Sequence, residues 1–191
     1  MKRIFPNVVN FIKNRYFSYK LKTVTANERA EMMRGKFYFL GKNVELYTTS
    51  FGTEPYLISI HDNVTCAANV KFITHDVSCF NMARIAHVDR SKVDKVGSIT
   101  LYDNAFVGAY TILLPNTSVG KNSVVAAGSV VTKHIPEGEV WGGVPAKYIM
   151  DTSDYCESVI QKSKEYPWMG DNRIHSQEEI VKMRQEYFFG N

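Results

Sequence analysis

The 191-residue chain predicts an all-β core wound as a parallel β-helix of triangular section, with α-helical segments at both ends. Three observations predict it. Aliphatic residues recur every six positions at Leu101, Val107, Leu113, Val119, Val125 and Val131. Four places after each stands a small or β-branched residue, in the order Ala105, Thr111, Thr117, Ser123, Ser129 and Ile135. Between the two lies a corner column, Asn104, Tyr110, Asn116, Asn122, Gly128 and His134, dominated by residue types that tolerate a left-handed backbone. Neither a helix nor a strand period generates this spacing, so the chain turns every six residues and each coil pairs with the next at roughly 4.8 Å.

Residues 1–35 read as an N-terminal helical segment. Met1 to Tyr19 forms an amphipathic helix with Pro6 near its start and Val8, Val9, Ile12 and Tyr16 on one stripe. Lys2, Arg3, Lys13, Arg15, Lys20 and Lys22 surround that stripe with positive charge. The helix is expected to cap or flank the prism, because a β-helix has an open end that must be covered. Peripheral contact with an anionic membrane surface is the second reading of the same charge.

Residues 36–149 form the β-helix. Lys36 to Leu40 and Val44 to Thr49 read as strands, parted by turns at Gly41-Lys42-Asn43 and Phe51-Gly52-Thr53-Glu54-Pro55. The six-residue beat is present from Ile60 through Cys66 and Phe72, with corners at Asn63, Asn69 and His75. It stops over 77–95, an inserted loop carrying Arg84, His87, Asp89, Arg90, Lys92 and Asp94. A loop of that length inside a compact domain is usually functional. Residues 150–191 return to helix. Ser153 is expected to cap Asp154 to Lys164, and Ser176-Gln177-Glu178-Glu179 is a capping box for a second helix ending at Gly190.

A net charge of +4 is too small and scattered to argue for nucleic acid, and a hydrophobic content of 45% suits an ordinary core. Three cysteines without scaffold spacing point to a reducing compartment. Cys66 falls on the inward column and reads as core, whereas Cys79 in the loop is undecided. The N-terminus lacks the features of a signal peptide, so the expected location is cytoplasmic.

The run from Asn104 to Ile149, with Trp141-Gly142-Gly143-Val144-Pro145-Ala146-Lys147 near its end, closely resembles the hexapeptide-repeat acyltransferases. That family includes maltose, galactoside, xenobiotic and capsular-sugar acetyltransferases. The resemblance implies a left-handed coil, acetyl-CoA as acyl donor, no metal, and a homotrimer with active sites between subunits. It implies cofactor contacts from Ala109, Ala127, Thr132, Lys133 and Lys147, and Trp141 is a further candidate, placed either to stack on the adenine or to narrow the channel. Three residues depart from the family pattern: Trp141 where Ala is common, Met150 where some relatives have a second basic residue, and Asn116 in place of a corner Gly.

Acyl transfer to a hydroxyl or amine needs a base, an oxyanion donor and a grip on the cofactor. Of His61, His75, His87, His134 and His175, position favours His75, where the coil is interrupted and the loop can wall off water. The motif Phe72-Ile73-Thr74-His75-Asp76 also matches the catalytic-base motif of the capsular-sugar branch, with Asp76 a candidate to orient the imidazole. His134 reads as structural, and nothing raises His61 or His175. Glu54, Phe80 and His87 are candidate acceptor contacts, and Tyr47 and Tyr56 offer further aromatic surfaces.

The expected acceptor is a hydroxyl of a saccharide, as in capsule, exopolysaccharide or lipopolysaccharide assembly. N-acetylation of an amino sugar and O-acetylation of a xenobiotic are the alternatives. Two rivals lie outside acyl transfer: a zinc carbonic anhydrase, which needs three His ligands and would join His75 and His87 to a third across a subunit interface, and a catalytically silent β-helix scaffold.

Overall fold

The computed structural model describes residues 5–169 and 175–190, with side chains from Phe11 onward. The expected charges of Lys2 and Arg3, and the side chains of Pro6, Val8 and Val9, lie outside the described residues. Two compact units divide the chain, one ending at Met150 and one beginning at Asp151.

In the first unit α1 (Phe5–Thr23) runs further than expected and is followed by a separate helix, α2 (Ala26–Met33). Thr25 caps α2. Its hydroxyl accepts from the Glu28 N–H at 3.3 Å, and the Glu28 carboxylate accepts from the Thr25 N–H at 2.9 Å. Among the side chains described, α1 packs on the prism through its end, by Phe17 and the buried Leu21, while Phe11, Ile12 and Tyr16 are exposed. Arg29 of α2 is buried and donates to the carbonyls of Leu21, Val24 and Leu46. One guanidinium therefore satisfies the closing carbonyls of α1 and joins them to the first coil.

The strands are short because each face of the prism is short. They are β1 (Phe39–Leu40), β2 (Glu45–Leu46), β3 (Ile58–Ile60), β4 (Thr65–Cys66), β5 (Lys71–Phe72), β6 (Ile99–Leu101) and β7 (Phe106–Val107). Then come β8 (Ile112–Leu113), β9 (Thr117–Val119), β10 (Val124–Val125), β11 (Val130–Val131), β12 (Glu139–Gly142) and β13 (Lys147–Asp151). They form three sheets, in the orders β1-β3-β6-β9, β2-β4-β7-β10-β12-β13 and β5-β8-β11. Leu101 faces Val119 and Val107 faces Val125 in parallel ladders, one coil of three repeats apart. Across the inserted loop Ile60 faces Leu101, Cys66 faces Val107 and Phe72 faces Leu113. The coil thus resumes in register, and the insertion stands outside the ladder.

All six aliphatics of the inward column are buried, as are Ile60, Cys66 and Phe72. The second column is buried too, and its hydroxyls find backbone acceptors: Thr117 bonds Leu114 O at 2.7 Å, Ser123 bonds Pro136 O at 2.6 Å and Ser129 bonds Ala126 O at 2.6 Å. Left-handed φ occurs at Asn63, Asn69, Asn104, Tyr110, Asn116, Asn122 and Gly128, as a sharp corner demands. His75 and His134 are not among the left-handed residues, so the corner conformation expected of both is corrected. At one corner the asparagines stack into a ladder: Asn43 donates to Asn63 at 3.1 Å, Asn63 to Asn104 at 3.1 Å and Asn104 to Asn122 at 2.8 Å.

In the second unit α4 (Thr152–Lys164) starts before the expected cap, with Asp151 rather than Ser153 at the N-cap position. α5 (Gln177–Phe189) has the expected capping box, Ser176 accepting from Glu179 N–H at 3.2 Å and Glu179 accepting from Ser176 N–H at 2.7 Å. Gly190 follows it at φ −68, not in the left-handed region. Tyr166 stacks on Trp168 at 4.8 Å, and Tyr187 meets both edge-on at 5.6 Å, tying the chain after α4 to α5. Among the described residues no helix is long and apolar enough to cross a membrane.

Candidate active site

The inserted loop leaves and rejoins the prism at a backbone neck. His75 and Val96 form an antiparallel bridge, with Asp76 N–H donating to Lys95 O at 2.8 Å and Gly97 N–H to Thr74 O at 2.9 Å. This extended pairing replaces the left-handed corner and explains why His75 departs from the asparagines before it. The loop is ordered inside: it holds α3 (Cys79–Ile85) and a 3-10 turn at Arg90–Lys92.

Four side chains, those of Glu54, Cys79, Phe80 and Asp94, surround the half-buried His75. Glu54 Oε1, from the turn before β3, lies 3.2 Å from His75 Nδ1. The other Glu54 oxygen accepts from the hydroxyls of Thr53 at 2.6 Å and Thr74 at 3.1 Å. Those bonds, that from Thr53 first, together with His75, hold the Glu54 carboxyl below its ordinary range, so it is ionised near neutral pH. An ionised Glu54 only accepts, which places an imidazole proton on Nδ1; in the neutral ring the lone pair is then on Nε2. Phe80 of α3 meets the ring edge-on at 6.0 Å, and the Arg90 guanidinium covers the Phe80 ring at 3.6 Å from its centroid.

The ring atom Nε2 is buried and has no hydrogen-bond partner, although Asp94 Oδ1 lies 3.2 Å from it. Asp76 does not reach the imidazole. Its carboxylate takes Lys95 Nζ at 2.5 Å and the Ser78 N–H at 3.0 Å, and these partners, Lys95 foremost, hold its carboxyl well below the usual range. The expected orienting role of Asp76 thus falls to Glu54.

His87 sits exposed at φ 52 after α3, with its N–H on Arg84 O at 3.2 Å, and does not join the group around His75. Tyr47 and Tyr56 are exposed. Among the described residues the only group of potential metal ligands is His75, Cys79 and Asp94. A three-histidine carbonic anhydrase set is therefore not formed by His75 and His87 within this chain.

The expected cofactor residues occupy the same side of the prism in part. β5, β8 and β11 are neighbours, with Phe72 facing Leu113 and Val131 facing Leu113. Thr132 and Lys133 leave β11 at the edge where His75 leaves β5, two strand spacings or roughly 10 Å along the axis. Ala109 and Ala127 meet at an adjacent corner, where Gly128 N–H donates to Ala109 O at 2.8 Å. There the coils leave no room for a side chain: a Cβ on Gly108 would lie 2.5 Å from Ala127 N. Lys147 opens β13 and is exposed, as are Thr132 and Lys133.

Trp141 lies in the core. It faces Val125 in the shortened last coil and is 7% exposed, with its indole N–H donating to Glu139 at 2.6 Å. Lys133 Nζ lies over the ring at 4.8 Å. Its indole closes the core and carries Lys133, and it is Lys133 that reaches the outer surface.

Fold and repeat define a class. Residues 101–133 match the family described as Bacterial transferase hexapeptide (six repeats), and the fold is a left-handed parallel β-helix. It is 40% identical over 115 residues to Protein CapG of Staphylococcus aureus, covering 60% of this chain and 64% of that protein. It is 28% identical over 141 residues to the galactoside O-acetyltransferase of Escherichia coli K12, covering 68% and 64%. The chain thus spans just under two thirds of the length of these curated relatives. A solved galactoside acetyltransferase in complex with coenzyme A shares the fold, with TM-score 0.53 and 20% identity over 86% of this chain and 88% of that one.

Sequence reasoning missed Cys79 and Asp94 at the imidazole and did not anticipate the contact of Glu54 with it. The available signal for Glu54 was its place in a turn one coil before His75, with Thr53 and Thr74 beside it.

Proposed function

We propose that the chain is an acetyl-CoA-dependent O-acetyltransferase acting on a hydroxyl of a saccharide, with His75 as general base. One observation carries this reading: an imidazole whose Nδ1 is held by an ionised carboxylate while its buried Nε2 has no hydrogen-bond partner. Nε2 takes the proton of the acceptor hydroxyl as the oxygen attacks the thioester carbonyl. A backbone N–H stabilises the oxyanion, the C–S bond breaks, and the imidazolium returns its proton to the departing thiolate. Glu54 stabilises the transient imidazolium through Nδ1–H. Direct transfer uses no cysteine nucleophile.

Thr132, Lys133 and Lys147 face outward and supply hydroxyl and cationic groups for the pantetheine arm and phosphates of the donor. Ala109 and Ala127 let that arm lie close to the backbone. The reading includes a homotrimer in which a neighbouring prism closes this groove, as the resemblance implies.

The test is acetyl transfer from acetyl-CoA to a panel of galactosides, maltose and amino sugars, read as thiol release. His75→Ala is expected to lower turnover about 100-fold or more, while acetyl-CoA still binds in a calorimetric titration. Lys147→Ala is expected to weaken that binding about tenfold, the lower end for a charge-assisted contact at an exposed site. Turnover of His75→Ala within about tenfold of the parent on a working acceptor removes His75 from the role of base.

A further inference from the structure

We infer that His75 Nε2, Cys79 Sγ and Asp94 Oδ1 form a site for one borderline-soft divalent ion, with zinc the ion that the donors fit. The three donor atoms all lie within 4.8 Å of one another. They come from three segments that only the folded loop brings together: the root of the loop, the first residue of α3, and the returning arm before Val96. The pairing of Nε2 with Asp94 Oδ1 is informative. They are 3.2 Å apart, yet Nε2 makes no hydrogen bond. Two ligands on one tetrahedral zinc, with bonds near 2.0–2.2 Å, sit roughly 3.3 Å apart and point at the metal rather than at each other.

The surroundings agree. Glu54 takes the Nδ1 proton, which is the carboxylate–histidine arrangement that fixes a metal-binding imidazole with Nε2 as the donor. Cys79 is 6% exposed, so its sulfur is shielded and directed within the loop. A nitrogen, a sulfur and one carboxylate oxygen select against magnesium and calcium, which take oxygen cages. Binding converts the Cys79 thiol and Zn2+ into a zinc thiolate and one released proton, with His75 and Asp94 contributing lone pairs. Three protein ligands leave a fourth position open to water.

The ion occupies the Nε2 lone pair that acetyl transfer needs, so a loaded chain cannot use His75 as base. That consequence rests on the proposed function; the binding does not, and it is measured without acetyl-CoA. The full chain, freed of metal by chelator, is titrated with Zn2+ against a chromophoric chelator and separately with Co2+ while its absorption spectrum is recorded. The expected result is one ion per chain and a thiolate-to-cobalt charge-transfer band. Cys79→Ser abolishes the band, and it and the surface change Asp94→Asn each weaken zinc about 10- to 100-fold or more. Cys156→Ser changes nothing. A band that survives in Cys79→Ser, or zinc affinity in Cys79→Ser and Asp94→Asn equal to that of the parent, overturns the site. In the transfer assay, zinc is expected to inhibit the parent at concentrations that fill the site and to spare Cys79→Ser. A filled site with undiminished transfer overturns the competition at Nε2, and zinc binding in a chain without transferase activity leaves the site standing while the function falls.

Discussion

Glu54 Oε1 lies 3.2 Å from His75 Nδ1, and the Glu54 carboxyl is held below its ordinary range by Thr53, His75 and Thr74. A carboxylate so placed fixes the ring tautomer and stabilises the imidazolium, so its loss acts on chemistry more than on binding. Glu54→Gln is expected to lower kcat about 10- to 100-fold with the KM for acetyl-CoA within about twofold of the parent. Steady-state kinetics with varied acetyl-CoA separates the two; a change confined to KM assigns Glu54 to binding instead.

Asp76 braces the neck of the loop through Lys95 and the Ser78 N–H, and its carboxyl is depressed well below the ordinary value near 4. A depressed folded-state value stabilises the fold above the ordinary value, and that contribution fades as pH falls toward the folded one. Asp76→Asn removes it. Urea midpoints measured from about pH 6 down to about pH 2.5 are expected to fall less steeply in the variant than in the parent.

Burial pushes the Cys66 thiol up to about 12, and Cys79 is also buried, whereas Cys156 is exposed. Since the thiolate is the reacting form, a thiol reagent at about pH 8 is expected to consume one thiol quickly and the other two only with added denaturant. Cys156→Ser should erase the fast phase. A fast phase that persists would mean that the loop opens at Cys79.

Arg29 donates to three backbone carbonyls from inside the first unit. Arg29→Ala strands those acceptors and is expected to cost about 2–4 kcal/mol in urea unfolding. Arg29→Lys, with one compact head in place of a planar fork, is expected to recover less than half of that loss. Full recovery by Lys would reduce the contribution of Arg29 to its charge alone.

The prism was legible because a six-residue step ties side-chain direction to position: Val107 and Val125 must both face inward if either does. His75 was legible by the same logic, as the residue at which the beat breaks. What surrounds it was not. Glu54, Cys79 and Asp94 meet the imidazole only after the coil closes and the loop folds back, and no local period reports that closure. The burial of Trp141 was hidden too: it sits in a string shaped like a cofactor grip, and the shortened last coil turns its indole inward. The cap of α2 was written in Thr25-Ala26-Asn27-Glu28 and could have been read.

Ile60 meets Leu101 one coil on, as if the inserted loop were absent, and Asn63 bonds Asn104 across the same gap. The inserted segment is in this sense a graft on an unbroken thread. A lineage can lengthen, shorten or exchange it without renegotiating the core, so chain variation at this one seam can alter what is recognised while the framework is inherited unchanged.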